Sequence, residues 1–208
     1  MVEQGSAEWL AMRLGKATAS KISDVIATTK SGPSALRTNY AAQLVAERLT
    51  GNVAESFTNA AMEWGTAKEA DARSAYEYYV GATVQLVDFI DHPTIPMSGA
   101  SPDGLVGTDG LVEIKCPNTA THIETLLGEK VAGKYVTQIQ WQLACTGRAW
   151  CDFVSYDPRL PEEMSIWIKR VERDDEMIAE LSEKVSAFLA EVASTVASLE
   201  AKFRRQAA

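Results

Sequence analysis

The chain is poor in the residues from which most metal and redox centres are built. Its only histidines are His92 and His122, so a histidine-rich metal centre is excluded. Its three cysteines, Cys116, Cys145 and Cys151, are odd in number and form no Cys-x-x-Cys pair. That pattern argues against a disulfide framework or a zinc knuckle and suits a reducing cytoplasm. No apolar run approaches the roughly 18–20 residues that a membrane-spanning helix needs. The N-terminus, MVEQGSAEWLAMRLG, lacks the basic start and apolar stretch of a signal peptide. Positive charge is also short: the net charge is −8, whereas a generic nucleic-acid binder is basic. The deficit is local. Residues 172–200 carry eight acidic residues against Arg173 and Lys184, a local charge of −6. The remainder is close to neutral and free to carry a basic face.

What is present is enough for one substantial core. The 208 residues are 46% hydrophobic and 23% charged, the balance of a folded globular chain. Periodicity predicts short helices over 6–14, ended by Gly15, and after Ser20, read as its cap, with Ile22, Val25 and Ile26 on one face. Residues 28–34 read as a loop. A longer helix carries Tyr40, Leu44, Val45 and Leu49, with Gly51 behind it. Residues 57–80 read as helix, with Met62, Ala72 and Tyr76 on one face and Gly81 at its end. Thr83 to Ile90 reads as a strand, and Pro93 and Pro96 bracket a turn. Residues 104–116 read as a hairpin turning at Asp109-Gly110. A helix over 134–146 follows, closed by Gly147, then strands over 150–156 and 164–171 separated by Pro158 and Pro161. The last helix, capped by Asp174 or Asp175, places Ile178, Leu181, Val185, Phe188, Val192 and Leu199 on one stripe. The order implies a single α/β or α+β domain over 1–208: a helical part (1–82), a sheet core (83–171) and a C-terminal helix (172–208). The acidic helix is expected to pack by its apolar stripe.

The chemistry concentrates in residues 101–117, SPDGLVGTDGLVEIKCP. Phosphodiester hydrolysis needs charge neutralised on the phosphorus, a water activated and a leaving oxygen stabilised. Two divalent cations about 4 Å apart supply all three. Magnesium accepts carboxylate and carbonyl oxygens and keeps several waters. Asp103 begins one hairpin strand and Glu113 lies on the other. Glu113 and Lys115, two apart, share a face, while Ile114 turns to the core and leaves its carbonyl as a ligand. Lys115 then acts on the attacking water or stabilises charge. Two plain alternatives stand beside this reading. Glu-Ile-Lys is also a charged pattern of solvated sheet faces, and Pro-Asp-Gly is a turn signal.

The pattern Ser-Pro-Asp103-Gly-Leu…Glu113-Ile-Lys115-Cys-Pro resembles the PD-(D/E)xK nuclease motif, and more narrowly that of the lambda exonuclease (YqaJ-type viral recombinase) family. Further segments fall in the family's order: Trp9…Arg13-Leu14-Gly15…Thr18-Ala19-Ser20, Trp64-Gly65…Glu69-Ala70-Asp71-Ala72-Arg73, Tyr135…Gln138-Ile139-Gln140 and Tyr156-Asp157-Pro158-Arg159. The resemblance spans nearly the whole chain. It implies a restriction-endonuclease-like core, a central mixed sheet flanked by helices.

It also implies roles. Asp103, Glu113 and the Ile114 carbonyl would ligate Mg2+, two ions with Mn2+ as a substitute. Lys115 would act on the water, Glu69 would stand near the second metal, and Gln138 would approach from the crossing helix. Lys30 replaces an expected arginine at the DNA 5′-phosphate. A second family arginine is replaced near Thr121-His122, where His122 is read as a phosphate contact or, preferably, an exposed neutral histidine. The implied activity is 5′→3′ digestion of double-stranded DNA ends for recombination. The implied partners are two further copies in a homotrimer and a phage single-strand annealing protein, in the bacterial cytoplasm, with no membrane. Another PD-(D/E)xK endonuclease and a non-catalytic DNA-end-binding module remain as alternatives. A RecB-like iron–sulfur nuclease would need four suitably spaced cysteines.

Overall fold

The computed structural model describes residues 5–30, 32–54 and 60–203, with backbone only at 60–62. The sequence expectations for 57–59, Ser31 and the Met62 side chain lie outside the described residues. In chain order the elements are α1 (Ala7–Arg13), β1 (Ala17–Thr18), α2 (Ile22–Ile26), β2 (Thr28–Thr29), β3 (Gly32–Pro33), α3 (Ala35–Thr50), α4 (Ala60–Val80), β4 (Val84–Gln85), β5 (Ile90–Asp91), β6 (Ser98–Ala100), β7 (Gly104–Val106), β8 (Gly110–Lys115), α5 (Thr119–Gly128), α6 (Gly133–Thr146), β9 (Trp150–Tyr156), α7 (Glu162–Ser165), β10 (Ile166–Glu172) and α8 (Asp175–Phe203).

The main sheet runs β10-β9-β8-β7-β4. It is mixed: β8 and β9 pair in parallel through the crossing helix α6, and every other pair is antiparallel. A smaller sheet, β1-β6-β5, joins the N-terminal segment to the centre of the chain. The central position of β8 explains its near-continuous burial, because both of its faces are covered. Val112 and Ile114 pack with Ala72 and Tyr76 of α4. Leu111 packs with Ile139 and Leu143 of α6. The other side of α6 presents Trp141 to a third cluster, formed with Ile22, Tyr40, Leu44, Leu181, Val185 and Phe188. Full burial of each such side chain is worth about 1.5–3 kcal/mol, so α6 is fixed from two sides. The stripe on α8 is buried from Ile178 to Val192, and Asp174 caps the helix by accepting from the Met177 N–H at 2.9 Å.

Several local expectations are corrected. Ser20 lies inside a 3-10 turn (Ala19–Lys21) and caps nothing, since the chain is already turning before α2. Residues 28–34 contain a small hairpin, with Thr28 opposite Pro33 and Thr29 opposite Gly32. The single strand expected over 83–90 is two strands in different sheets. Val84–Gln85 pairs with β7, whereas Ile90–Asp91 pairs with β6. The switch lets the buried Phe89 ring occupy the space above Gly99 that a side chain would fill. Residues 162–165 form a helical turn, so the strand starts at Ile166. Helix α5 had no counterpart in the expected elements; Asn118 caps it by accepting from the Thr121 N–H at 2.9 Å.

The hairpin turn is also built differently. Gly107 takes the left-handed conformation, with φ 54°. Gly110 is already the first residue of β8, opposite Val106 and Trp150, and a Cβ there would meet the Trp150 indole. Gly107→Ala is expected to cost about 1–2 kcal/mol from its dihedral alone. Gly110→Ala should add about 1–3 kcal/mol of overpacking and be the more destabilising, as measured by urea unfolding. A Gly107 variant that is the weaker of the two would contradict this packing.

Candidate active site

Strand β8 delivers Glu113, Ile114 and Lys115 to one end of the sheet, and the loop before β7 brings Asp103 beside them. Asp103 Oδ2 accepts a hydrogen bond from the Ile114 N–H at 2.6 Å, so its carboxylate is referenced to the same strand as Glu113. Glu113 is fully buried. Its Oε1 accepts from Gln138 Nε2 at 2.6 Å and pairs with Lys115 Nζ. Its Oε2 accepts from Gln142 Nε2 at 2.6 Å. Gln138 and Gln142 stand four residues apart on α6, the spacing that puts two side chains on one helix face. Glu-Ile-Lys is therefore no solvated sheet face. Lys115 also lies 5.5 Å above the Tyr135 ring of α6, and Tyr135 stacks on Phe153 at 5.3 Å.

Helix α4 brings Glu69 to the same end. Its carboxylate pairs with Arg73 at 3.3 Å. Burial raises its pKa, Arg73 opposes that, and Glu113 raises it further. Asp103 is held well above the ordinary carboxylate range, first by burial and then by repulsion from Glu113, with Lys115 opposing. Burial alone would lower the Lys115 pKa, but Glu113 and Asp103 reverse this and hold it as an ammonium. The surplus of buried negative charge over Lys115 is the environment that a hard cation neutralises. Among the described residues no three His, Cys, Asp or Glu side chains are gathered into a metal cluster. Asp103 and Glu113 supply two carboxylates, so a divalent cation there would need a main-chain carbonyl and waters to complete its shell.

The structure thus brings Asp103, Glu113, Lys115 and Gln138 together, with Glu69 at the margin. Lys30 stands apart. It is exposed at the turn of the β2–β3 hairpin and, among the described residues, makes no ion pair or hydrogen bond to the others. His122 is corrected outright: it is neither exposed nor available to phosphate. It is fully buried, with Nδ1 2.7 Å from Ser155 Oγ and Nε2 2.8 Å from the Met164 carbonyl oxygen. It ties α5 to β9 and α7. Gln140 turns away from the site, donating to the Glu172 carbonyl and accepting from the Asp174 N–H at the start of α8.

Two arginines acquire a physical place. Arg13 donates to Ser101 Oγ at 3.1 Å, two residues before Asp103, and lies 3.9 Å over the Trp9 ring. Burial lowers its pKa to about 10, against the pull of Tyr40 and Glu47. It borders a cavity of about 540 Å³ that Lys16 and Lys21 also line. Arg159 grips the buried Asp157 with two bonds, at 2.6 and 3.0 Å. It also donates to the Pro117 carbonyl at 3.0 Å and stacks 4.4 Å over Trp64 of α4. The segment following Lys115 is thereby clipped to α4. Gln142 shares a helix stripe with Gln138 and Tyr135, a spacing that hints at a site-facing side chain; its bond to Glu113 is what no motif marks.

The raised pKa of Asp103 predicts a pH effect. Its unfolded pKa is near 3.9, so its folded-state ionisation costs stability at neutral pH, and the cost is relieved as pH falls through the raised pKa. Chelator-treated wild type should gain stability relative to Asp103→Asn on acidification from about pH 7 towards about pH 4, in parallel urea titrations. A constant difference across that window would contradict the charge crowding.

Comparison with known proteins gives the family. The YqaJ-like viral recombinase domain matches residues 8–149. A crystal structure of an alkaline exonuclease from Laribacter hongkongensis is 52% identical, with a TM-score of 0.91, covering 97% of this chain and 100% of that one. The same exonuclease in complex with dAMP is equally similar. A phage-related exonuclease from Haemophilus somnus 129PT is 16% identical, with a TM-score of 0.72 over 88% of this chain and 96% of that one, a likeness of fold alone. No curated protein matches the chain. With the motif, its buried geometry and the match over residues 8–149 in agreement, the chain belongs to the YqaJ-like viral recombinase domain family.

Proposed function

We propose that this protein is a magnesium-dependent exonuclease that digests the 5′-ended strand of duplex DNA and leaves a 3′ single strand for annealing. The coarser statement, a nuclease of the alkaline-exonuclease type, rests on the family and on 52% identity to an enzyme of that description. The observation that carries the finer reading is the convergence of Asp103, Glu113 and Lys115 at the end of β8, with Gln138 locking Glu113.

Asp103 and Glu113 would hold the metal with the Ile114 carbonyl, and Glu69 would stand beside a second ion. Bound there, the cations would polarise the phosphodiester and lower the pKa of the attacking water. The chain's own residues do the rest. Lys115 acts on the attacking water or on a phosphate oxygen, helping to stabilise the charge that builds up as the P–O bond to the 3′ oxygen breaks. Gln138 keeps Glu113 from swinging away. Arg13 offers a cation beside the Asp103 segment, and Lys30, on its hairpin, provides a point charge for the 5′-phosphate without an arginine's two-pronged grip. The dAMP complex of the Laribacter exonuclease supports a nucleotide-sized site in this protein. The proposal extends to the whole chain acting as one nuclease domain, a homotrimer around duplex DNA, a phage single-strand annealing protein as partner, and work in the host cytoplasm. Among the described residues no helix is long and apolar enough to cross a membrane.

End-labelled linear duplexes in Mg2+ test the reading. Wild type should release mononucleotides from the 5′-ended strand only, faster when that end carries a phosphate. Glu113→Ala and Lys115→Ala should each lose about 10²–10⁴-fold in rate. Wild-type rates in either variant would overturn the assignment, and cutting of closed circular DNA would replace it with an endonuclease.

A further inference from the structure

Gln142 is fully buried on α6 between Trp141 and Leu143, two members of the hydrophobic core. Its Nε2 donates to Glu113 Oε2 at 2.6 Å, while its Oε1 is buried and finds no hydrogen-bond donor among the described residues. An amide with one half unpaired is a poor choice for packing alone, since an apolar side chain of the same size brings no polar atom of its own to satisfy. The contact with Glu113 is the feature that explains a glutamine here. The amide's orientation is fixed by the same contact: the reverse flip would set a carbonyl oxygen against a carboxylate oxygen. Gln138 already occupies Oε1 of Glu113, so the two amides hold the two carboxylate oxygens separately. A carboxylate gripped at both oxygens by one rigid helix cannot rotate about its last torsion.

We propose that Gln142 is a positioning residue for the candidate metal site, fixing the Glu113 carboxylate in its ligating orientation through Oε2; this rests on the reading of Asp103 and Glu113 as metal ligands. Partners that orient ligands in this way change metal affinity by about 10–100-fold when removed.

The test uses the full-length protein, stripped with chelator, and Mn2+ alone as the probe, titrated by calorimetry. Wild type should bind Mn2+. Gln142→Met should bind it at least about 10-fold more weakly, with a lower kcat and an unchanged KM for linear duplex. In a Glu113→Gln background the same substitution should produce no further loss, because the group it positions is gone. If wild type binds Mn2+ and Gln142→Met binds it equally well, the proposal is overturned, even where the melting temperature of the variant has fallen. If wild type binds no Mn2+, the ligand reading of Asp103 and Glu113 fails first and takes this proposal with it. Should Gln142→Met not fold, Gln142→Ala carries the same comparison.

Discussion

The site is organised around one fully buried carboxylate, Glu113. Glu113 has no exposure to solvent, and an ionised carboxylate is stable there only if its oxygens are matched by donors and a countercharge. Gln138, Gln142 and Lys115 supply these. The match requires α6 to cross the sheet at one register, because a shift of one residue on the helix would carry both amides away from the strand. Core packing enforces that register. Ile139 and Leu143 lie on the sheet, and Trp141 faces the cluster formed by α2, α3 and α8. The apolar core and the polar site are therefore two consequences of the same helix placement.

The remaining site residues are tied to that centre by short links rather than by long-range folding accidents. Asp103 is bonded to the backbone of Ile114, so two carboxylates move with one strand. Arg159 joins the segment after Lys115 to Asp157 and to Trp64 on α4, the helix that carries Glu69. Arg13 reaches the Asp103 segment through Ser101. The links from Arg13 to Ser101 and from Arg159 to Pro117 and Trp64 join segments distant in sequence, each through an arginine. Such links favour one geometry over neighbouring ones more than they add to stability.

The sequence made the central part of this arrangement legible and left its periphery obscure. Helix α8 was readable because its apolar stripe is long and periodic, and α6 and β9 were readable from their apolar residues bounded by Gly147, Pro158 and Pro161. Asp103, Glu113, Lys115 and Gln138 were readable because a motif fixes their spacing. The misses have local causes. Strands β4 and β5 are two residues each, and a weakly alternating stretch gave no hint that the chain changes sheets between them. Helix α5 begins with a threonine-rich turn whose propensity for helix is low. His122, read from the sequence as a phosphate contact or an exposed histidine, is sunk by tertiary packing against Ser155 and Met164. Gln142 was legible only as a neighbour of Gln138 and Tyr135 on one helix stripe; the carboxylate oxygen it holds was not. The Glu-Ile-Lys pattern alone could not separate a solvated face from a site; the burial of Glu113 separates them.

The claim at the centre of this account is that Asp103, Glu113 and the Ile114 carbonyl form one divalent-cation site. Anomalous diffraction from crystals soaked in Mn2+ tests it most directly. The account predicts a manganese peak within coordination distance, about 2.1 Å, of an Asp103 oxygen, a Glu113 oxygen and the Ile114 carbonyl oxygen. Peaks confined to other surfaces, with Glu113 still held only by Gln138, Gln142 and Lys115, would contradict it.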